Sequence, residues 1–97
     1  MKDTKYLLGL DIGSSSIKAA LIDADTGLRI NSAISPDFEM PIHAIQSGWA
    51  EQSPNCWWDH SKTAIEKLFL SSELNKKNII AIGISYQMHS LVAVDSQ

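Results

Sequence analysis

Two apolar runs of seven residues, "YLLGLDI" (6–12) and "IKAALID" (17–23), stand four residues apart, and those four are Gly13, Ser14, Ser15 and Ser16. Short runs rich in Leu, Ile and Ala around so brief a glycine and serine gap read as two strands joined by a tight hairpin. A third run, "LRINSAI" (28–34), follows "ADTG", where Asp25 and Gly27 favour another turn. The three together predict an antiparallel meander.

Residues 35–52, "SPDFEMPIHAIQSGWAEQ", hold two prolines and a glycine without a sustained period, and predict a long loop. Ser53 and Pro54 then form a helix start, a capping hydroxyl followed by proline at the first helical position. Trp57, Trp58, Ala64, Ile65, Leu68 and Phe69 recur at three- and four-residue spacing, one stripe for packing on a sheet, and the helix is expected to end near Ser71 or Ser72. "NIIAIGISY" (78–86) has the unbroken apolar character of a strand covered on both faces, and "SLVAVD" (90–95) reads as one more strand. The resulting order is βββαββ. It departs from the alternation of a dinucleotide-binding fold, and "DIGSSS" has neither G-x-G-x-x-G nor the G-K-[ST] of a P-loop.

At 97 residues and 44% hydrophobic, the chain makes at most one domain. A chain of that size buries roughly two-thirds of the surface its unfolded form exposes. A net charge of −3 with Lys mixed among Asp and Glu gives no basic stripe, so neither nucleic acid nor an anionic membrane is an expected partner. The single cysteine, Cys56, cannot close an internal disulfide and reads as a packing residue, and no Cys/His cluster has metal-ligand spacing, so a reducing cytoplasm is the expected setting. The apolar run after Lys2 is cut by Asp11 before a signal-peptide core or membrane span is complete, so neither export nor an anchor is expected.

The turn at Gly13 to Ser16 admits two readings. Its successive N–H groups and hydroxyls can form a concavity for phosphate oxygens, with Asp11 holding Mg²⁺ beside them. Alternatively, Asp and Ser satisfy local turn hydrogen bonds, as such residues commonly do. An unpaired carboxylate on the last residues of a buried strand is costly, which favours the first.

With these residues in view, "GLDIGSSSIKA" resembles the first phosphate-binding signature of the actin-like ATPase and sugar kinase superfamily. "GWAEQSPNCWW", followed by "AIGISYQMHSLVAVD", resembles the N-terminal part of the FGGY carbohydrate kinases, most of all their xylulokinase branch. The similarity runs from about residue 6 to residue 95; D-x-G-[ST]-[ST] is shared with chaperones and actins, whereas G-W-A-E-Q and Q-M-H in order are more specific. The resemblance implies an incomplete α/β, ribonuclease-H-like (actin-like ATPase) domain whose strand at 79–85 lies parallel beside the strand at 6–11. It implies that residues 1–97 are the N-terminal part of the first, sugar-binding domain of such a kinase, with the second, nucleotide-binding domain absent.

The implied reaction is phosphorylation of D-xylulose to D-xylulose 5-phosphate by MgATP. Asp11 with Gly13, Ser14, Ser15 and Ser16 would bind the Mg²⁺ and ATP phosphates, and Gln87, Met88 and His89 the sugar. Glycerol kinases carry an arginine and a glutamate where Met88 and His89 stand. The general base of the family is an aspartate, expected beyond Gln97, so no catalytic residue is assigned within the chain and the chain alone is expected to be inactive. A homodimer is left open as the assembly. The alternatives are a kinase for another sugar or polyol and a non-metabolic actin-like ATPase, the latter disfavoured by G-W-A-E-Q and Q-M-H.

Among the remaining residues, Trp49, Ala50 and Glu51 lie in the loop that by resemblance approaches the sugar, with packing of Trp49 onto the domain as the competing expectation. Trp57 and Trp58 are expected in the core. His43 and His60 are expected to face solvent, as is Lys18 on its strand.

Overall fold

The computed structural model describes residues 4–70, 74–87 and 91–96. Three strands, β1 (Tyr6–Ile12), β2 (Ile17–Asp23) and β3 (Arg29–Ser35), form the meander; helix α1 (Pro54–Phe69) follows, then a 3-10 turn at Lys76–Asn78 and β4 (Ile79–Tyr86). The sheet order is β3-β2-β1-β4. β1 pairs antiparallel with β2 and parallel with β4, as the superfamily resemblance requires.

The turns have local causes. Between β1 and β2, Ile12 faces Ile17 and the Gly13 N–H donates to the Ser16 carbonyl at 3.1 Å, closing the four-residue loop. Between β2 and β3, the Asp23 carboxylate accepts from the N–H groups of Asp25 (2.8 Å) and Thr26 (3.2 Å), an Asx turn. Gly27 takes φ +75° there, a conformation that strains any residue with a Cβ.

Alternation along the strands sends Tyr6 and Leu8 from β1 and Ile17, Ala19 and Leu21 from β2 to one face, where Ala64 and Leu68 of α1 meet them. Met40, from the loop after β3, completes the buried cluster. The C-terminal end of α1 is tied to β3. The Asn31 amide donates to the Leu68 carbonyl (2.9 Å), and Lys67 Nζ donates to the Ile34 carbonyl (2.8 Å).

Several expectations are corrected. α1 starts at Pro54, but the Ser53 hydroxyl makes no cap; the Cys56 N–H goes instead to Ser53's own carbonyl at 3.0 Å. The helix closes at Phe69, and Ser71 and Ser72, its expected end, lie outside the described residues. Trp58 is 64% exposed, with Lys62 Nζ 5.6 Å from its ring centroid, because adjacent helical residues point about 100° apart and Trp57 takes the inward direction. His60 is half-buried, its Nδ1 2.9 Å from the Oγ of buried Ser35; His43 is exposed as expected. Asp11 is exposed, so burial does not single it out.

β4 is not covered on both faces by the described residues. α1 lies across β2 and β3 and only grazes β1, so β4 stands at the sheet edge with Ile80, Ile82 and Ile84 in solvent and only Ile79 packed against the core. The expected last strand does not form among the described residues either: residues 91–96 are exposed and carry no regular structure. No helix among the described residues is long and apolar enough to cross a membrane.

Candidate functional site

The candidate site lies at the end of the sheet where β1 stops, β4 stops and the serine turn begins. Asp11 is the penultimate residue of β1. Register sets it beside Lys18 on β2 and Ser85 on β4, so an anion, a cation and a hydroxyl share the outer face of three neighbouring strands. The Ser85 hydroxyl donates to Asp11 Oδ1 at 3.1 Å. These residues border an open trough of about 770 Å³, whose floor at the cross-strand pair Gly9 and Gly83 has no side chains.

Beyond the turn lies a smaller cleft of about 380 Å³. Ser14 lines it from the serine turn, Ala50, Glu51 and Gln52 from the loop before α1, Trp57 from α1 and Gln87 from the end of β4. The loop 35–52 is more ordered than its sequence suggests. His43 and Glu51 exchange two backbone hydrogen bonds of 2.6 and 2.7 Å, with Gly48 at φ +86° in the bend between them. This bridge holds Ala50 and Glu51 at the cleft, while Trp49 is 51% exposed and is not part of the buried core.

The turn itself is held by its carbonyls. The buried Met40 N–H donates to the Ser15 carbonyl at 2.9 Å, and Gln52 Nε2 donates to the Ser14 carbonyl. The Trp57 indole N–H donates to Gln52 Oε1 at 2.9 Å. The Gly13 N–H is committed to Ser16, which removes one of the four expected phosphate donors. Ser14 and Ser15 are exposed.

Of the sequence-predicted residues, the structure brings Asp11 together with the 13–16 turn at one strand end, and Ser14 together with Gln87 in one cleft. Met88 and His89 lie outside the described residues. So does Gln97, the residue beyond which the family resemblance puts the general base. Sequence reading passed over Ser85 and Gln52 and set Lys18 aside as a solvated residue. Only the strand register could have shown Lys18 and Ser85 flanking Asp11. Among the described residues no three His, Cys, Asp or Glu side chains converge as a metal cage. A lone exposed carboxylate suits a hydrated Mg²⁺ carried by phosphates, which keeps most of its waters.

A mixed sheet with β4 parallel beside the first strand of a meander, and a glycine and hydroxyl turn following an acid, defines the actin-like ATPase class. The model of the FGGY family of carbohydrate kinases, N-terminal domain, matches residues 6–97. The chain belongs to that family. It is 34% identical over 92 residues to a xylulose kinase of Staphylococcus epidermidis, covering 94% of this chain and 18% of that protein. Identity is 33% over 93 residues with a glycerol kinase of Saccharolobus islandicus, covering 96% and 17%. The ligand-bound xylulose kinase of Lactobacillus acidophilus superposes with a TM-score of 0.78 at 30% identity, over 95% of this chain and 17% of that one. The chain therefore spans less than a fifth of the length of these relatives.

Proposed function

We propose that this chain supplies the phosphate-binding turn and part of the sugar pocket of an MgATP-dependent kinase whose acceptor is a pentulose, D-xylulose, giving D-xylulose 5-phosphate. The observation that carries the reading is the adjacency of Asp11 and the serine turn to a cleft that Ser14 shares with Gln87. Donor and acceptor must meet in line for phosphoryl transfer, so their binding groups belong at one sheet end. In this reading Asp11 holds Mg²⁺, oriented by Ser85, and Lys18 adds positive charge near the phosphates. When bound there, Mg²⁺ would supply positive charge beside the transferring group. The N–H and hydroxyl groups of Ser14, Ser15 and Ser16 donate to phosphate oxygens, and Gln87, Met88 and His89 bind the sugar.

Residues 1–97 are then the first part of the sugar-binding domain. The base that takes the acceptor's proton, an aspartate beyond Gln97, and the adenine site belong to polypeptide outside this chain, and the chain by itself turns nothing over. A reaction that consumes ATP fits the cytoplasmic setting expected from the sequence. A substrate panel of D-xylulose, glycerol and gluconate with the full-length protein and MgATP tests the proposal. D-xylulose is expected to give the highest kcat/KM. A preference for glycerol, the substrate named in the Saccharolobus relative, would reassign the acceptor but keep the kinase, and nucleotide hydrolysis indifferent to every sugar would overturn the kinase reading.

A further inference from the structure

Gln52 stands between two partners of opposite kind. On one side it meets the Trp57 indole N–H, which can only donate, and on the other the Ser14 carbonyl, which can only accept. An amide offers both an acceptor and a donor, and these two partners fix which end is which. Glutamate has no donor for Ser14, and asparagine is a methylene short.

We infer that Gln52 is a positioning residue that presets the serine turn for nucleotide phosphate, acting through the Ser14–Ser15 peptide. In a planar trans peptide the C=O and the following N–H point in opposite directions. Drawing the Ser14 carbonyl toward Gln52 therefore turns the Ser15 N–H away from it. Met40 does the same one residue later, its N–H holding the Ser15 carbonyl and so turning the Ser16 N–H outward. Two consecutive donors are set before any ligand arrives, which lowers the ordering cost to be met on binding. Trp57 stands behind Gln52 as its support, which gives the tryptophan at the start of α1 a role besides packing. The inference rests on the reading of the turn as a phosphate site.

The test uses the full-length protein and titration calorimetry with MgADP, alongside steady-state kinetics. Gln52→Met keeps the side chain's length and bulk but removes both polar contacts; Gln52→Glu keeps the acceptor for Trp57, loses the donor to Ser14 and sets a negative charge against that carbonyl; Trp57→Phe removes the support. MgADP affinity and KM for ATP are expected to worsen about fivefold to tenfold in Gln52→Met and at least as much in Gln52→Glu, with sugar KM within about twofold of wild type. Trp57→Phe should give a smaller loss, and adding it to Gln52→Met no further loss, since the two act as one chain. Glu matching the wild type, nucleotide and sugar constants moving together, or additive losses would each overturn the inference. A wild-type protein that binds no MgADP would instead overturn the phosphate-site reading, and the inference with it.

Discussion

At Asp11 the decisive fact is what surrounds it rather than how deeply it lies. An exposed carboxylate needs no compensation for burial. Yet this one is oriented by Ser85, 74 residues away in sequence, and faces Lys18 across the ladder. A turn-capping aspartate bonds nearby backbone, as Asp23 does with Asp25 and Thr26, whereas the bond made to Asp11 comes from a side chain on another strand. Asp11→Asn in the full-length kinase should lower kcat by about a hundredfold or more, the scale of removing one group that stabilises transition-state charge, with sugar KM nearly unchanged. Unaltered turnover would reduce the turn to a hairpin. At the sugar end, His89→Ala should weaken D-xylulose binding by roughly threefold to somewhat over tenfold, the worth of one neutral hydrogen bond, and leave MgADP binding intact by calorimetry. The acid and serine turn were legible in sequence because a local pattern carries them. Ser85, Lys18 and Gln52 were not, since strand register alone sets the first two beside Asp11, and only the folded loop brings Gln52 to Ser14.

At the scale of elements, the same division separates what periodicity shows from what neighbours decide. The helix and all four observed strands follow from spacing and turn chemistry, to within a residue at most ends. Their burial does not, since it depends on where α1 lies. Adjacent tryptophans cannot both face inward on one helix, so a stripe containing Trp57 and Trp58 had to lose one of them. α1 is held to the sheet by Leu68, fully buried between it and the strands, and by Asn31, which satisfies one of the four carbonyls a helix end leaves without a partner. Leu68→Ala should cost about 2–5 kcal/mol of stability, the range for a leucine deleted from a core. Asn31→Ala should cost about 1–3 kcal/mol by leaving a partly buried carbonyl unpaired. Trp58→Ala, which removes only an exposed ring and its contact with Lys62, should cost about 1 kcal/mol or less. Urea unfolding of the three variants gives the order directly, and Trp58→Ala falling with Leu68→Ala would place its ring in the core after all.

The whole molecule is lopsided: among the described residues a helix covers one end of the sheet and nothing covers the other. Register places Ile82 beside Leu8 and Ile84 beside Leu10 on the helix side, yet they are 60% and 56% exposed, and Tyr86 at the strand's end is 74% exposed. Beyond them β4 offers an edge with no ladder partner among the described residues. An apolar strand with an open edge is a template for pairing with another chain. The sequence of β4 reads as a strand buried on both faces, and in a protein of the relatives' length the additional polypeptide would cover it. Two opposite outcomes are therefore expected from one double substitution, Ile82→Lys with Ile84→Lys. The 97-residue chain expressed alone should self-associate through β4, and the lysines should return it to a monomer in sedimentation velocity. In the full-length kinase the same lysines would be forced into an apolar contact, and the melting temperature should fall by about 5 °C or more. A wild-type 97-residue chain that stays monomeric at high concentration would show that the edge is protected without a cover, and an unmoved melting temperature in the full-length variant would show that β4 stays at the surface of the whole protein.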